Sequence, residues 1–197
     1  MTMTTYSELQ LDALRELANI GSGQAAAALS TMLGHPVDIS VPTAEAMALA
    51  DAVMAVGDPE ETRFGILVPI VGEFDAAVVL LVSDVDAVQL CSVYGLEPGT
   101  EDGASFLGEI GNILGTSYIN VLAQMAGMDM EPAPPQVVHD LLGAIVASVL
   151  LARGEDVDMA LVLDSTLQVE GRPCELSFLL IPAGGGVHDL LGRIGVG

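Results

Sequence analysis

The chain is 197 residues long, 51% of them apolar, and carries 27 Asp plus Glu against 5 basic residues, a net charge of −22. All five are arginines (Arg15, Arg63, Arg153, Arg172 and Arg193), and no lysine occurs; this excludes direct nucleic-acid binding, which needs clustered Lys or Arg against the phosphates, and disfavours insertion at an anionic membrane. The acids are spread along the chain rather than gathered in a tail. A specific basic partner is one explanation; halophilic adaptation to a salt-filled cytoplasm, where the Debye length at 1 M is about 3 Å, is the better one.

Ser7 and Gln10 form a capping box, with Tyr6 and Leu11 as a hydrophobic staple, and open a helix that runs to about Leu33 before Gly34 and Pro36. Leu14, Ala18, Gly21, Ala25, Ala28 and Met32 fall on one stripe of this helix, small enough that a partner element must approach closely. A short strand at Val37 to Val41 ends at Pro42, and a weaker helical stretch follows over Ala44 to Val53. Arg63 to Val71 and Ala76 to Val82 read as a hairpin joined through Gly72-Glu73, and Asp84 to Tyr94 as a connecting helix. Thr100 caps a second long helix ending near Gly127, with Glu101 and Asp102 in its first turn. Met128 to Glu131 reads as a strand, Gln136 to Arg153 as a helix, and Met159 to Val169 and Cys174 to Ile181 as strands. A short helix follows Gly184-Gly185-Gly186.

Cys91 and Cys174 make no C-x-x-C pair and no disulfide framework. No signal peptide is predicted at MTMTTYSELQ, and the longest apolar run, Leu141 to Ala152, is too short to span a membrane. These features predict a cytoplasmic protein.

The element order repeats, so the expectation is one domain built from two repeats, about 7–95 and 100–190. At an offset of 93, Glu16 meets Glu109, Asn19 meets Asn112, Met32 meets Met125, Gly34 meets Gly127 and Pro42 meets Pro135. Duplication explains the apolar matches. It does not explain why polar residues persist on the outer face.

Asp12, Glu16 and Asn19 lie within about 60° of one another on the first helix, away from the apolar stripe; Ser105, Glu109 and Asn112 do the same on the second. A solvated helix face is the bland reading for such residues. Three details count against it. Neither Glu has a Lys or Arg four residues on, since positions 20 and 113 are Ile. Asn is a poor helix former in mid-helix. And the Glu-x-x-Asn pair occurs twice, each time ahead of a Pro.

The pattern Asp/Ser-x3-Glu-x2-Asn-x22-Pro resembles the active-site signature of the CheC, CheX and FliY chemotaxis phosphatases, and both copies match at every defined position. Two complete sites resemble the CheC type in particular. CheX-like members are shorter with one site, and FliY-like members carry an added rotor domain for which this length leaves no room. The resemblance implies an α/β (α+β) fold: a pseudo-twofold, duplicated structure whose antiparallel sheet supports two long, roughly parallel helices displaying the sites. It implies a phosphatase acting on the aspartyl phosphate of a CheY-type response regulator. Asn19 and Asn112 would position water, and Glu16 and Glu109 would pair with a receiver lysine. Asp12 and Ser105 would support the sites, and Pro42 and Pro135 would fix strand ends. No cofactor of its own is implied, since the Mg²⁺ belongs to the regulator. His35, His139 and His188 have no metal-ligand spacing.

The resemblance also implies a second partner, the receptor deamidase CheD, through the helix Gln136 to Ala152; an adaptor that binds CheD with little phosphatase activity is the alternative function. A flagellar-switch component is disfavoured, because switch relatives generally lose the Glu-x-x-Asn pairs. Gly21-Ser22-Gly23-Gln24-Ala25-Ala26 fits G-x-G-x-x-A, but a capped helix rather than a strand precedes it, and Asp38 is only 15 residues past Gly23. The second repeat has Leu114-Gly115-Thr116 at that place, so a nucleotide loop is disfavoured too.

Overall fold

The computed structural model describes residues 8–40, 43–153, 159–169, 171–183 and 186–196. The proposed cap at Ser7, the staple residue Tyr6 and Pro42 lie outside them. The elements are α1 (Glu8–Leu33), β1 (Val37–Ile39), β2 (Thr43–Ala48), α2 (Leu49–Val56), β3 (Thr62–Gly72), β4 (Ala76–Ser83) and α3 (Asp84–Ser92). The second half holds α4 (Glu101–Ala126), β5 (Met130–Pro132), β6 (Gln136–Leu141), α5 (Leu142–Arg153), β7 (Met159–Val169), β8 (Arg172–Pro182) and α6 (Gly186–Leu191), followed by one π-helical turn, Gly192–Val196.

The local signals act where expected at α4. The Thr100 hydroxyl accepts from the Gly103 amide at 3.2 Å, satisfying one of the helix's unpaired donors. Gly127 ends α4 with φ 61° and Gly34 ends α1 with φ 67°, a left-handed conformation that glycine adopts without a Cβ penalty. Ser83 caps α3 by accepting from the Asp86 amide, a cap absent from the sequence reading.

Two stretches differ from expectation. Ala44 to Val53 was expected to be helical, but its first part is β2, which pairs with β7 from Thr43↔Asp164 to Ala48↔Met159. Gln136 to Arg153 was expected to be one helix; Gln136–Leu141 is instead β6, paired with β3 from Gln136↔Leu67 to Leu141↔Thr62, and only Leu142–Arg153 is helical. The reason is tertiary. β1 and β5 cover only one end of β7 and β3, and the rest of each edge would expose unpaired peptide groups.

All strands join one antiparallel sheet in the order β1-β7-β8-β4-β3-β5, with β2 beside β7 and β6 beside β3. An offset of 93 carries α1 onto α4, β1 onto β5 and β2 onto β6 residue for residue, and 97 carries β3 onto β7. The extra four positions are the difference between the 12-residue α5 and the 8-residue α2. Strand register obeys the same relation: Val37↔Val169 corresponds to Met130↔Gly72, and Ile66↔Leu80 to Leu163↔Phe178. Leu80 and Phe178 also pair with each other, so the pseudo-twofold axis runs between them, normal to the sheet. Both are almost fully buried; truncating Leu80 to Ala costs about 2–5 kcal/mol.

β4 is buried on both faces, and its alternation divides two cores. Ala76, Val78, Leu80 and Val82 face the layer of α1, α4, α3 and α6, whereas Ala77, Val79 and Leu81 face α2 and α5. Because the axis is normal to the sheet and α1 and α4 lie on one side of it, the two long helices run side by side with opposite chain direction, a correction to the parallel arrangement expected. Side-chain contacts agree: Leu14 and Leu17 line the same small apolar cavity as Tyr118 and Leu122, while Gly21, further along α1, lies against Tyr118.

Candidate active site

The buried side of α1 consists of Leu14, Leu17, Ala18, Gly21, Ser22, Ala25, Leu29 and Leu33. Ala28, expected on it, is exposed, and Met32 is only partly buried; Leu29 and Leu33 take their places. The small residues serve the contact with α4. A Cβ on Gly21 would lie 2.6 Å from Tyr118 Cδ1. Ser22 Oγ donates to the Ala18 carbonyl at 2.7 Å, which leaves its lone pairs for the Tyr118 hydroxyl at 2.8 Å. The Tyr118 ring packs on Phe178 with centroids 4.6 Å apart, and burial pushes its pKa up. On α4, a Cβ at Gly111 would meet Ile66 Cγ2 at 2.3 Å, so this helix is pressed onto β3. The G-x-G-x-x-A stretch is therefore helix-packing surface, and Tyr118 is the residue that explains it.

Opposite this buried side, Asp12, Glu16 and Asn19 are exposed on α1. Ser105 and Glu109 are exposed on α4, and Asn112 is partly buried there. The long helices thus bring each Glu-Asn pair onto an outward face. Among the described residues, Glu16, Asn19, Glu109 and Asn112 make no side-chain hydrogen bond or ion pair within the chain. Asp12 is different: its Oδ1 accepts from Arg15 Nη1 at 2.7 Å. Pro135 is partly buried and immediately precedes β6; Pro42 falls outside the described residues.

The two pairs do not converge. Gly21 on α1 packs on Tyr118 on α4, and the offset of 93 maps these two positions onto 114 and 25, so the helices cross near residues 23 and 116. Asn19 and Asn112 lie on opposite sides of that crossing, about 12 Å apart along the helix axes. Helix separation adds a lateral component of about 8–10 Å. One small group cannot touch both amides, so the two Glu-Asn pairs are separate candidate sites.

Nothing else among the described residues competes as a chemical centre. Among the described residues, no group of three or more His, Cys, Asp and Glu is placed to hold a metal. His139 stacks on Phe64 with ring centroids 4.2 Å apart, and its Nε2 lies 2.8 Å from Asp84 Oδ1, joining β6 to the start of α3. No helix among the described residues is long and apolar enough to cross a membrane.

The family model of the CheC-like family matches residues 9–45 and again 103–139, the two helix-strand segments that carry the pairs. In these two segments the chain is similar to the CheC-like family. It is 28% identical over 177 residues to a Bacillus subtilis (strain 168) protein named CheY-P phosphatase CheC, covering 86% of this chain and 85% of the relative. In fold it is similar to Thermotoga maritima FliY (TM-score 0.76, 20% identity, 98% of each chain covered). It is also similar to the CheX of a CheX-CheY-BeF3-Mg²⁺ complex from Borrelia burgdorferi (TM-score 0.51, 15% identity, 84% and 97% covered).

Proposed function

We propose that this chain accelerates hydrolysis of the aspartyl phosphate of a CheY-type response regulator. The observation that carries the reading is the pair of outward Glu-x-x-Asn motifs whose four side chains make no hydrogen bond or ion pair among the described residues. Polar groups on one helix face, spaced by three, can enter a partner's pocket together. The names of the B. subtilis relative and of the CheX-CheY complex support the same substrate class.

In this mechanism the regulator brings the Mg²⁺ and the acyl phosphate. Asn19 or Asn112 accepts a hydrogen bond from a water and aligns it with the phosphorus. The water oxygen bonds to phosphorus, the bond from phosphorus to the aspartyl oxygen breaks, and the aspartate leaves as a carboxylate. The proton lost by the water ends on inorganic phosphate. Glu16 or Glu109 pairs with the receiver lysine and fixes the depth of insertion.

The test is the decay of phosphorylated regulator, run at molar salt. Asn19→Ala with Asn112→Ala removes about 10²–10³ of the acceleration, and each single variant keeps the other site. Full acceleration by the double variant overturns the reading.

A second reading is favoured by the far side of the sheet. A groove between α2 and α5 is lined by Leu49, Val53, Met54, Val146 and Leu150; Met54, and Leu151 next to Leu150 in the chain, are largely exposed. It offers an apolar docking surface on the same α5 for which CheD was the expected partner. Pull-down of CheD by this chain, weakened by Leu151→Asp, tests it.

A further inference from the structure

The two sites are alike in Glu and Asn but not in what stands beside them. Immediately before Glu16 is Arg15; the position 93 residues on, before Glu109, is Gly108. Arg15 is the only Lys or Arg on either α1 or α4, in a chain whose basic residues number 5 against 27 acids. Its side chain is 53% exposed and held at 2.7 Å by Asp12. The holder is missing too in the second repeat, where Ser105 stands in place of Asp12.

The second site has a packing reason to lack the cation. A Cβ at Gly108 would lie 3.3 Å from Val137 Cγ2, on the strand β6 that crosses beside α4. A side chain there would need Val137 to give by a few tenths of an ångström. On α1 the corresponding position is open to solvent. Arg15 precedes Asn19 by four residues, about 40° around the helix, and Glu16 lies on the other side of Asn19. The first site thus presents a cation, an amide and a carboxylate in a row; the second presents only the last two.

Resting on the phosphatase reading, we propose that Arg15, steadied by Asp12, is a substrate-contact residue of the first site alone. It engages anionic oxygens at the phosphorylated face of the regulator. A guanidinium suits this task because it stays charged and presents several donors in a planar fork. The net charge of −22 repels an anionic face in general, so a single cation at the point of contact has a large local effect. The first site therefore binds the phosphorylated regulator more tightly than the second.

The test isolates each site. In the Asn112→Ala background only the first site works, and adding Arg15→Ala lowers kcat/KM about tenfold, mainly through KM. Arg15→Lys recovers part of the loss, because it keeps the charge without the fork. In the Asn19→Ala background only the second site works, and Arg15→Ala has no site to act on, so decay follows Asn19→Ala alone. Equal kcat/KM for Asn112→Ala with and without Arg15→Ala overturns the assignment and leaves the phosphatase reading standing. An equal loss in both backgrounds overturns it as well, because that marks a global effect. Absence of any acceleration by the unmodified chain overturns the phosphatase reading and this assignment with it.

Discussion

Gly21 and Tyr118 interlock across the two repeats: the Cβ that Gly21 lacks would sit 2.6 Å from Tyr118 Cδ1, and the hydroxyl of the same tyrosine meets Ser22 at 2.8 Å. This contact sets how closely α1 and α4 approach, and so the spacing of the two sites on their outer faces. Gly21→Ala is expected to destabilise by about 1–3 kcal/mol through overpacking, despite the higher helix propensity of alanine. Urea unfolding with unchanged m checks this. Tyr118→Leu in the same chain should recover part of the loss, and a Gly21→Ala protein as stable as the parent would contradict the packing.

The hydrogen bond of the interlock has its own signature. Tyr118→Phe should cost about 1 kcal/mol, and Ser22→Ala a similar amount. In a double-mutant cycle the two losses should fall short of additive. Strict additivity would show that the hydroxyls do not interact.

The carboxylates of the sites should separate from the amides. Glu16→Gln with Glu109→Gln is expected to raise KM for the phosphorylated regulator at least tenfold, with a smaller effect on kcat, because the charge-assisted pair is made on binding. Single-turnover decay across a range of chain concentrations measures it. A pure loss of kcat would move Glu16 and Glu109 from anchoring to chemistry.

Alkaline stability follows from the buried thiols. Burial, aided by Asp86 and Glu175, pushes the Cys174 pKa up from its ordinary 9.0, and burial raises Cys91 likewise. The folded state therefore keeps protons that the unfolded chain loses. Stability is full below about pH 9 and falls as pH rises above it, by up to about 1.4 kcal/mol per pH unit for each thiol. Thermal unfolding from pH 8 to 10 should show the decline, with a shallower slope in Cys174→Ala. An unchanged slope would mean that the thiol titrates alike in both states.

Salt should stabilise. With a net charge of −22, self-repulsion opposes the compact state and is screened within about 3 Å at 1 M. Thermal unfolding in KCl from 0.1 to 2 M should give a rising Tm, each kcal/mol gained adding about 2–4 °C. A flat profile would remove the halophilic interpretation of the composition.

Both long helices, the β3-β4 and β7-β8 hairpins and the offset of 93 were legible from periodicity, caps and repeated residues, and so were the two Glu-x-x-Asn pairs. β2 and β6 were not. Thr43–Ala48 reads TAEAMA, largely good helix formers, and Gln136–Leu141 runs without a turn signal into a true helix. Both segments are strands because β7 and β3 have edges to satisfy, a demand made by residues far away in the chain. Tyr118 was passed over for a related reason. Nothing near it in sequence marks it as the residue that Gly21 and Ser22 accommodate.

The sequence by itself determined which residues recur and which helix face they occupy, because a helix's period converts spacing into direction without reference to anything else. Only the tertiary structure decided that α1 and α4 run in opposite directions, since that follows from an axis between Leu80 and Phe178 that no local pattern encodes. The same holds for the difference between the sites. Arg15 and Gly108 are plain in the sequence, but only the fold shows that position 15 is exposed while position 108 is buried with Val137 of β6 3.3 Å from where a side chain would begin.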